Sequence, residues 1–195
     1  MARAKTFDPS VALSAALDAF WRRGYTQTSL DDLTEAMGLG RASLYNAFGD
    51  KHALFLRALD RYSDERMAEL DQALNSTAGA RSAIERVLRR TADVLWSDPL
   101  RRGCLLVNST TELAAADPAV AARAAQAFER TVSAFRSALE RGIHRGEFPK
   151  TLDVRSISRL LASTLTSLRV LSKMTDRSVA EDIITQTLDV LDRSV

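Results

Sequence analysis

The sequence predicts an all-α protein of about nine helices, and three observations carry that expectation. Val, Ile and Thr do not alternate with polar residues, while Ala, Leu and Arg dominate. Apolar residues recur instead every three or four positions along most of the chain. Gly, Pro, Asp and Ser fall at the breaks between these runs, where helix ends need them. The breaks divide the chain into a compact three-helix unit over residues 1–50 and a larger helical body over residues 51–195.

The first helix is expected from Pro9 to Arg23. The second follows Thr28 or Ser29, either of which can cap its free N–H groups with a hydroxyl. Asp32, three positions after Ser29, makes a weaker form of the capping box. Asp31 and Asp32 also suit the positive end of the helix dipole. Leu30, Leu33 and Met37 supply its apolar stripe, and Gly38 ends it in a left-handed turn. Leu39 fills the space under that turn. A third helix begins at Gly40 or Arg41 and buries Leu44 and Phe48; Gly49 stops it and Asp50 caps the next.

The body follows with a long fourth helix over residues 51–74, a break at 75–79 and a fifth helix over 80–97, stopped by Asp98-Pro99. A sixth is expected over 103–115. The seventh opens with Asp117 as cap and Pro118 at its first position, and reaches about Arg141, after which Gly142 and Gly146 loosen the chain. The eighth covers 153–173. The ninth covers 178–191, with Ser178 and Glu181 as a capping box.

The second and third helices, joined by a short glycine-bearing turn, have the form of a helix-turn-helix. The third helix turns Arg41, Ala42, Ser43, Tyr45, Asn46 and Ala47 away from its apolar stripe. These side chains suit a DNA major groove. Arg41 can pair bidentately with guanine, Asn46 with adenine, and Ser43 with several base edges. Ala42 and Ala47 are small enough for close backbone approach. The hydroxyls of Thr28 and Tyr45 and the ammonium of Lys51 are placed for phosphate, which fixes register without reading sequence. The spacing alone also fits an ordinary helical hairpin. The arrangement Leu44-Tyr45-x-x-Phe48-x-x-Lys51 argues against that alternative.

On these residues, residues 8–62 resemble the DNA-binding domain of the TetR/AcrR family of bacterial one-component repressors. Ala16, Phe20 and Gly24-Tyr25 are further family-like marks, and Ala47 stands where many members carry His. The resemblance implies DNA contacts at Thr28, Arg41, Ala42, Ser43, Tyr45, Asn46 and Lys51. It also implies a twofold dimer on a palindromic operator and a small-molecule inducer bound in the body. The stretch Gly103-Cys104-Leu105-Leu106-Val107-Asn108 is similar to a segment of some electrophile- and oxidant-sensing members, where the matching cysteine is the reactive one.

Composition narrows the alternatives. Net charge is +2, and through residue 51 six basic residues (Arg3, Lys5, Arg22, Arg23, Arg41, Lys51) face six acidic ones (Asp8, Asp18, Asp31, Asp32, Glu35, Asp50). DNA affinity must then come from a few directed contacts and from dimerisation rather than from a basic coat. Arg3 and Lys5 are expected on an N-terminal arm able to reach phosphate or a minor groove. A single cysteine, Cys104, excludes an intrachain disulfide, and His52 and His144 have no ligand-like spacing with it. No metal or other cofactor is expected. Neither a membrane span nor a signal peptide is legible, so the expected location is the cytoplasm. An enzyme is disfavoured: there is no phosphate loop, no nucleophile elbow and little histidine.

Two sites are expected in the body. The eighth and ninth helices carry more apolar surface than terminal helices need, so Ile157, Leu161, Leu165, Leu168, Ile184, Leu188 and Leu191 are expected at a dimer face of paired helices. A sensing chamber is expected around Trp96, Cys104, Asn108, Thr111, Glu112 and Phe128. Cys104, Asn108 and Glu112 share one helical face and need partners if they point inward. Two rival readings stand beside the ligand-responsive repressor: a regulator that senses oxidants through Cys104, or a helical interaction module that does not bind DNA.

Overall fold

The computed structural model describes residues 7–75 and 79–193; Arg3 and Lys5 lie outside them. Among the described residues there are nine α-helices and no strand. They are α1 (Pro9–Arg23), α2 (Leu30–Met37), α3 (Arg41–Phe48), α4 (Lys51–Leu74), α5 (Ala80–Ser97), α6 (Leu105–Leu113), α7 (Pro118–His144), α8 (Val154–Leu171) and α9 (Arg177–Arg193).

The sequence-level caps form at the head. Ser29 and Asp32 close a reciprocal capping box on α2, so Ser29 rather than Thr28 is the N-cap. Gly38 ends α2 in the left-handed conformation, and Asp50 caps α4 through the Ala53 N–H. Of the boundaries that differ from expectation, three have a physical reason. Helix α6 starts two residues late, with Cys104 in extended geometry as its N-cap. Helix α7 runs straight through Gly142, which is buried, because a Cβ there would lie 2.5 Å from the Phe148 ring and 2.9 Å from Ala80. That glycine is required for close packing and does not loosen the chain. Helix α9 starts at Arg177, ahead of Ser178, and Glu181 pairs with Arg89 and Arg177 instead of closing a capping box.

Two apolar clusters organise the chain. The first joins Ala16 and Phe20 of α1, Leu33 of α2, and Leu44 and Phe48 of α3 to Leu54, Phe55, Leu59 and Tyr62 of α4. Cys104 and Leu105 from the start of α6 and Val120 of α7 enter the same cluster. The second fills the body, with Ile84, Leu88, Phe135, Leu139, Leu161, Leu168 and Ile184 among its members. Helix α4 therefore begins in the head core and ends at Leu74 in the body core.

The seven residues expected at the dimer face all lie in the body's own core. Leu161, Leu165, Leu168 and Ile184 have at most 1% exposure, and Ile157, Leu188 and Leu191 are buried too. The most apolar stripe of an amphipathic helix goes where most water is excluded, which here is the monomer's interior. The opposite stripe of α8 is left outside: Ser156, Leu160, Ser163, Ser167 and Val170, continued by Met174.

Candidate nucleic-acid interface

Helix α3 is eight residues long and spans the head's outer edge. Leu44 and Phe48 anchor it in the core with 0% and 3% exposure. Arg41, Ala42, Ser43, Tyr45 and Asn46 are all exposed, so five of the seven expected contact residues form one continuous outward face. The C-terminal end of α3 is held by Arg57 of α4, whose guanidinium donates to the Ala47 carbonyl at 3.0 Å. Lys51 is half-buried, with its ammonium 4.3 Å above the Tyr25 ring beside the start of α4. Thr28 departs from expectation. It is fully buried, and its hydroxyl donates to the Gly24 carbonyl at 2.6 Å, so it holds the α1–α2 turn rather than facing out.

Each described arginine of the head is bound to a carboxylate. Arg22 pairs with Asp18, Arg23 with Asp32 and Arg41 with Asp31. Asp32 is held below its ordinary carboxylate range, first by the Ser29 hydroxyl and then by the Ser29 N–H, with Arg23 adding to both. The hydrogen bond to Asp31, then its charge, pushes Arg41 further up. The charge of the described head arginines is thus met by local pairs.

Contacts between body and head were not legible in the sequence. Glu112, near the end of α6, accepts the Thr26 N–H at 2.7 Å and the Tyr25 N–H at 3.1 Å, one on each carboxylate oxygen. Gly24 makes room for it: its φ is +80°, and a Cβ there would lie 2.7 Å from Glu112 Oε2. Burial alone would raise the Glu112 pKa, but the hydrogen bonds from Thr26 and Tyr25 outweigh it and the net shift is downward. Asp117 caps α7 and meets His52 Nε2 of α4 at 2.7 Å. The hydrogen bond from His52 is the main reason Asp117 lies below the ordinary aspartate range. Arg102, in the α5–α6 loop, reaches Asp18 of α1 at 3.2 Å and lies 4.4 Å over the Trp21 ring.

Comparison with known proteins agrees with this geometry. The profile of bacterial regulatory proteins of the tetR family matches residues 12–58, and that of the tetracyclin repressor-like C-terminal domain matches residues 80–188. The chain belongs to the TetR family. It is 30% identical to YezE of Bacillus subtilis (strain 168), an uncharacterized HTH-type transcriptional regulator, over 98% of this chain and all of that one. It is 34% identical to the HTH-type transcriptional repressor ComR of Escherichia coli (strain K12), over 82% of this chain and 76% of that one. Among solved structures, the TetR family regulator CifR, complexed as a cysteine mutant with 26-bp double-strand operator DNA, superposes with a TM-score of 0.83 at 33% identity. That match covers 96% of this chain and 98% of CifR.

In this TetR-family transcriptional regulator the residues expected in a sensing chamber are not brought together. Trp96 and Phe128 pack against the body cluster, and the Trp96 indole donates to Thr175 O at 3.0 Å. Cys104 is buried in the head cluster beside Tyr62, whose phenol is pushed up first by burial and then by the neighbouring thiol. Asn108 donates to Arg102 O at 2.8 Å and accepts from Lys173 at 2.7 Å. Thr111 is exposed and bonds back to its own helix. The polar groups of α6 thus serve contacts within the protein. An open cleft of about 460 Å³ lies elsewhere, between α4 and α7, lined by Met67, Asp71, Leu74, Arg130, Ser133 and Arg141. No motif or spacing in the sequence marks it. Among the described residues no helix is long and apolar enough to cross a membrane, and no cluster of His, Cys, Asp and Glu fits a metal ion.

Proposed function

We propose that the protein is a cytoplasmic, homodimeric repressor without catalytic activity, released from a palindromic operator when a small molecule binds its body. The observation that carries this reading is the outward face of α3, anchored by two buried apolar residues and stocked with groups that pair with base edges. The exposed stripe of α8 (Ser156, Leu160, Ser163, Ser167, Val170), with Val190 on α9, supplies the dimer face. Small residues there let two α8 helices approach closely, and the pair of subunits forms a four-helix contact. The twofold axis then sets two α3 helices roughly 34–36 Å apart, on successive major-groove faces.

Release needs an inducer that binds a DNA-incompetent arrangement better than the competent one. The cleft between α4 and α7 is the place for it. Arg123 holds Asp60 bidentately at 2.7 and 3.0 Å, and Arg130 holds Asp64 at 2.7 Å, so these ion pairs tie α4 to α7 just above the cleft. An occupant that moves α4 against α7 and α6 also strains the Glu112 contacts to the head and the Asp117 contact to the start of α4. Retardation of DNA flanking the gene, at several salt concentrations, tests the reading. Binding confined to one promoter segment supports it, and equal binding to any duplex overturns it.

A second trigger is favoured by one observation. Cys104 is the N-cap of α6 and touches Tyr62 of α4, so an adduct on its sulfur must push these two helices apart. If Cys104→Ser answers electrophiles as the wild type does, this trigger is absent.

A further inference from the structure

We propose that Asp31 is a positioning residue for sequence discrimination: it holds the Arg41 guanidinium in the orientation that pairs with guanine and penalises duplexes that lack that guanine. The inference rests on Arg41 being a base reader.

The geometry is specific. Asp31 is the second residue of α2 and Arg41 the first of α3, so their contact crosses the two helices of the motif. Arg41 donates from Nη2 at 2.7 Å and from Nε at 3.3 Å, both to Asp31 Oδ1. One long edge of the guanidinium is thereby occupied. The end edge, formed by Nη1 and the outer hydrogen of Nη2, remains available. Its two parallel N–H groups match O6 and N7 of guanine. Asp31 Oδ2 takes no part in the contact and can accept from a cytosine N4 amino group beside it.

Folding does not call for this pair. Helix α2 is already capped by the Ser29–Asp32 box, so Asp31 is not needed as a cap. Its side chain is 77% exposed and that of Arg41 is 61% exposed, a setting in which ion pairs add little to stability. A carboxylate beside the reading helix is also repelled by every phosphate it approaches. The arrangement makes sense as discrimination. On a site with guanine, Arg41 keeps Asp31 and gains the base. On a site without it, Arg41 reaches a phosphate only by leaving Asp31 unpaired against the DNA backbone. With Arg22 and Arg23 also held by carboxylates, little diffuse attraction is left to mask that difference.

The test uses the full-length dimer and a set of operators in which each base pair is changed in turn, with affinity read at several salt concentrations. The wild type should lose about tenfold or more at one guanine per half-site, and Arg41→Ala should be indifferent to that base pair. Asp31→Ala should lose most of this preference, bind random duplex more tightly, and show a log–log salt slope steeper by about one per head as Arg41 moves to phosphate. Asp31→Asn, which keeps an accepting oxygen, should retain more of the preference than Asp31→Ala. The proposal is overturned if Asp31→Ala keeps the wild-type preference and slope, or if the Asn and Ala variants lose equally, which marks a simple charge effect. If Arg41→Ala itself keeps the wild-type preference, it is the base-reading role that fails. Circular dichroism shows whether these exposed substitutions leave the fold intact.

Discussion

Glu112 shows how one side chain can serve two parts of a molecule. It sits on α6, in the body, and satisfies two backbone N–H groups of the turn that leads into α2. Such a charged acceptor is stronger than a neutral one, although solvent access at Glu112 weakens it. Glu112→Gln keeps one accepting oxygen and loses the charge, and should cost about 1 kcal/mol of stability in chemical denaturation. The more informative readout is DNA affinity without inducer, which should change because the turn is no longer held by α6. An unchanged affinity leaves the head's orientation to α4, to Arg102 and to the shared apolar cluster. On the reading face, Tyr45→Ala and Lys51→Ala should abolish operator binding while leaving helicity and dimerisation intact. Retained binding by either variant removes that residue from the interface. At this scale the sequence was legible where a residue's role depends on near neighbours. Ser29, Asp32 and Asp50 fell into place because a cap is decided within three or four positions. Glu112 and Asn108 did not, because their partners Tyr25 and Lys173 are distant in the chain and no periodicity encodes them. Thr28 differs from expectation for a related reason: a hydroxyl at a helix start serves cap, phosphate or turn equally well until the tertiary turn chooses.

The elements themselves were legible almost throughout, since each carries a helical apolar period and a breaker at both ends. What periodicity cannot say is which neighbour an apolar stripe will meet. In α8 the strongest stripe, Ile157, Leu161, Leu165 and Leu168, met α7 and α9 of the same chain, and the residues opposite it stayed exposed. The two faces predict opposite phenotypes. Leu165→Ala opens a cavity in the body core and should destabilise the fold by about 2–5 kcal/mol. Leu160→Glu combined with Val170→Glu sets like charges against each other at the twofold contact while sparing the core, so it should yield a folded monomer with greatly weakened operator binding. Sedimentation together with circular dichroism separates the two, and a double variant that still sediments as a dimer moves the interface elsewhere. Gly142 carries the same lesson in reverse. A glycine near a helix end reads as a stop, but Phe148 and Ala80 crowd its missing Cβ, so α7 continues and the glycine is a packing choice. Gly142→Ala should therefore be destabilising, despite alanine's better helix propensity.

For the whole molecule, the contacts that hold head to body and the caps that start the helices share one chemical dependence, because many of them are carboxylates held in ionised form. Glu112 joins the body to the head, Asp117 ties α7 to the start of α4, Asp32 and Asp153 cap α2 and α8, and Asp98 anchors the α5–α6 loop. All five lie below their ordinary values, which are 4.5 for Glu112 and 3.8 for the aspartates. A carboxyl group with a lower pKa in the folded state than in the unfolded state binds fewer protons when folded. Its stabilisation is complete above the unfolded value and is lost as pH falls through the folded one. Thermal stability should therefore be insensitive to these groups from neutrality down to about pH 5 and fall steeply below about pH 4. The same reasoning isolates the latch. A protein carrying Glu112→Gln starts less stable at neutral pH but has one fewer depressed carboxylate to protonate. Its melting temperature should approach that of the wild type as the pH is lowered, and Asp117→Asn should behave in the same way. Melting curves of the three proteins between pH 7 and pH 3 decide the matter. Parallel curves, with the gap at pH 7 preserved in acid, show that the ionised forms of these two carboxylates are not what fastens the head to the body, and the coupling then runs through the contacts of Arg102 with Asp18 and Trp21 and the shared apolar cluster around Tyr62, Leu105 and Val120.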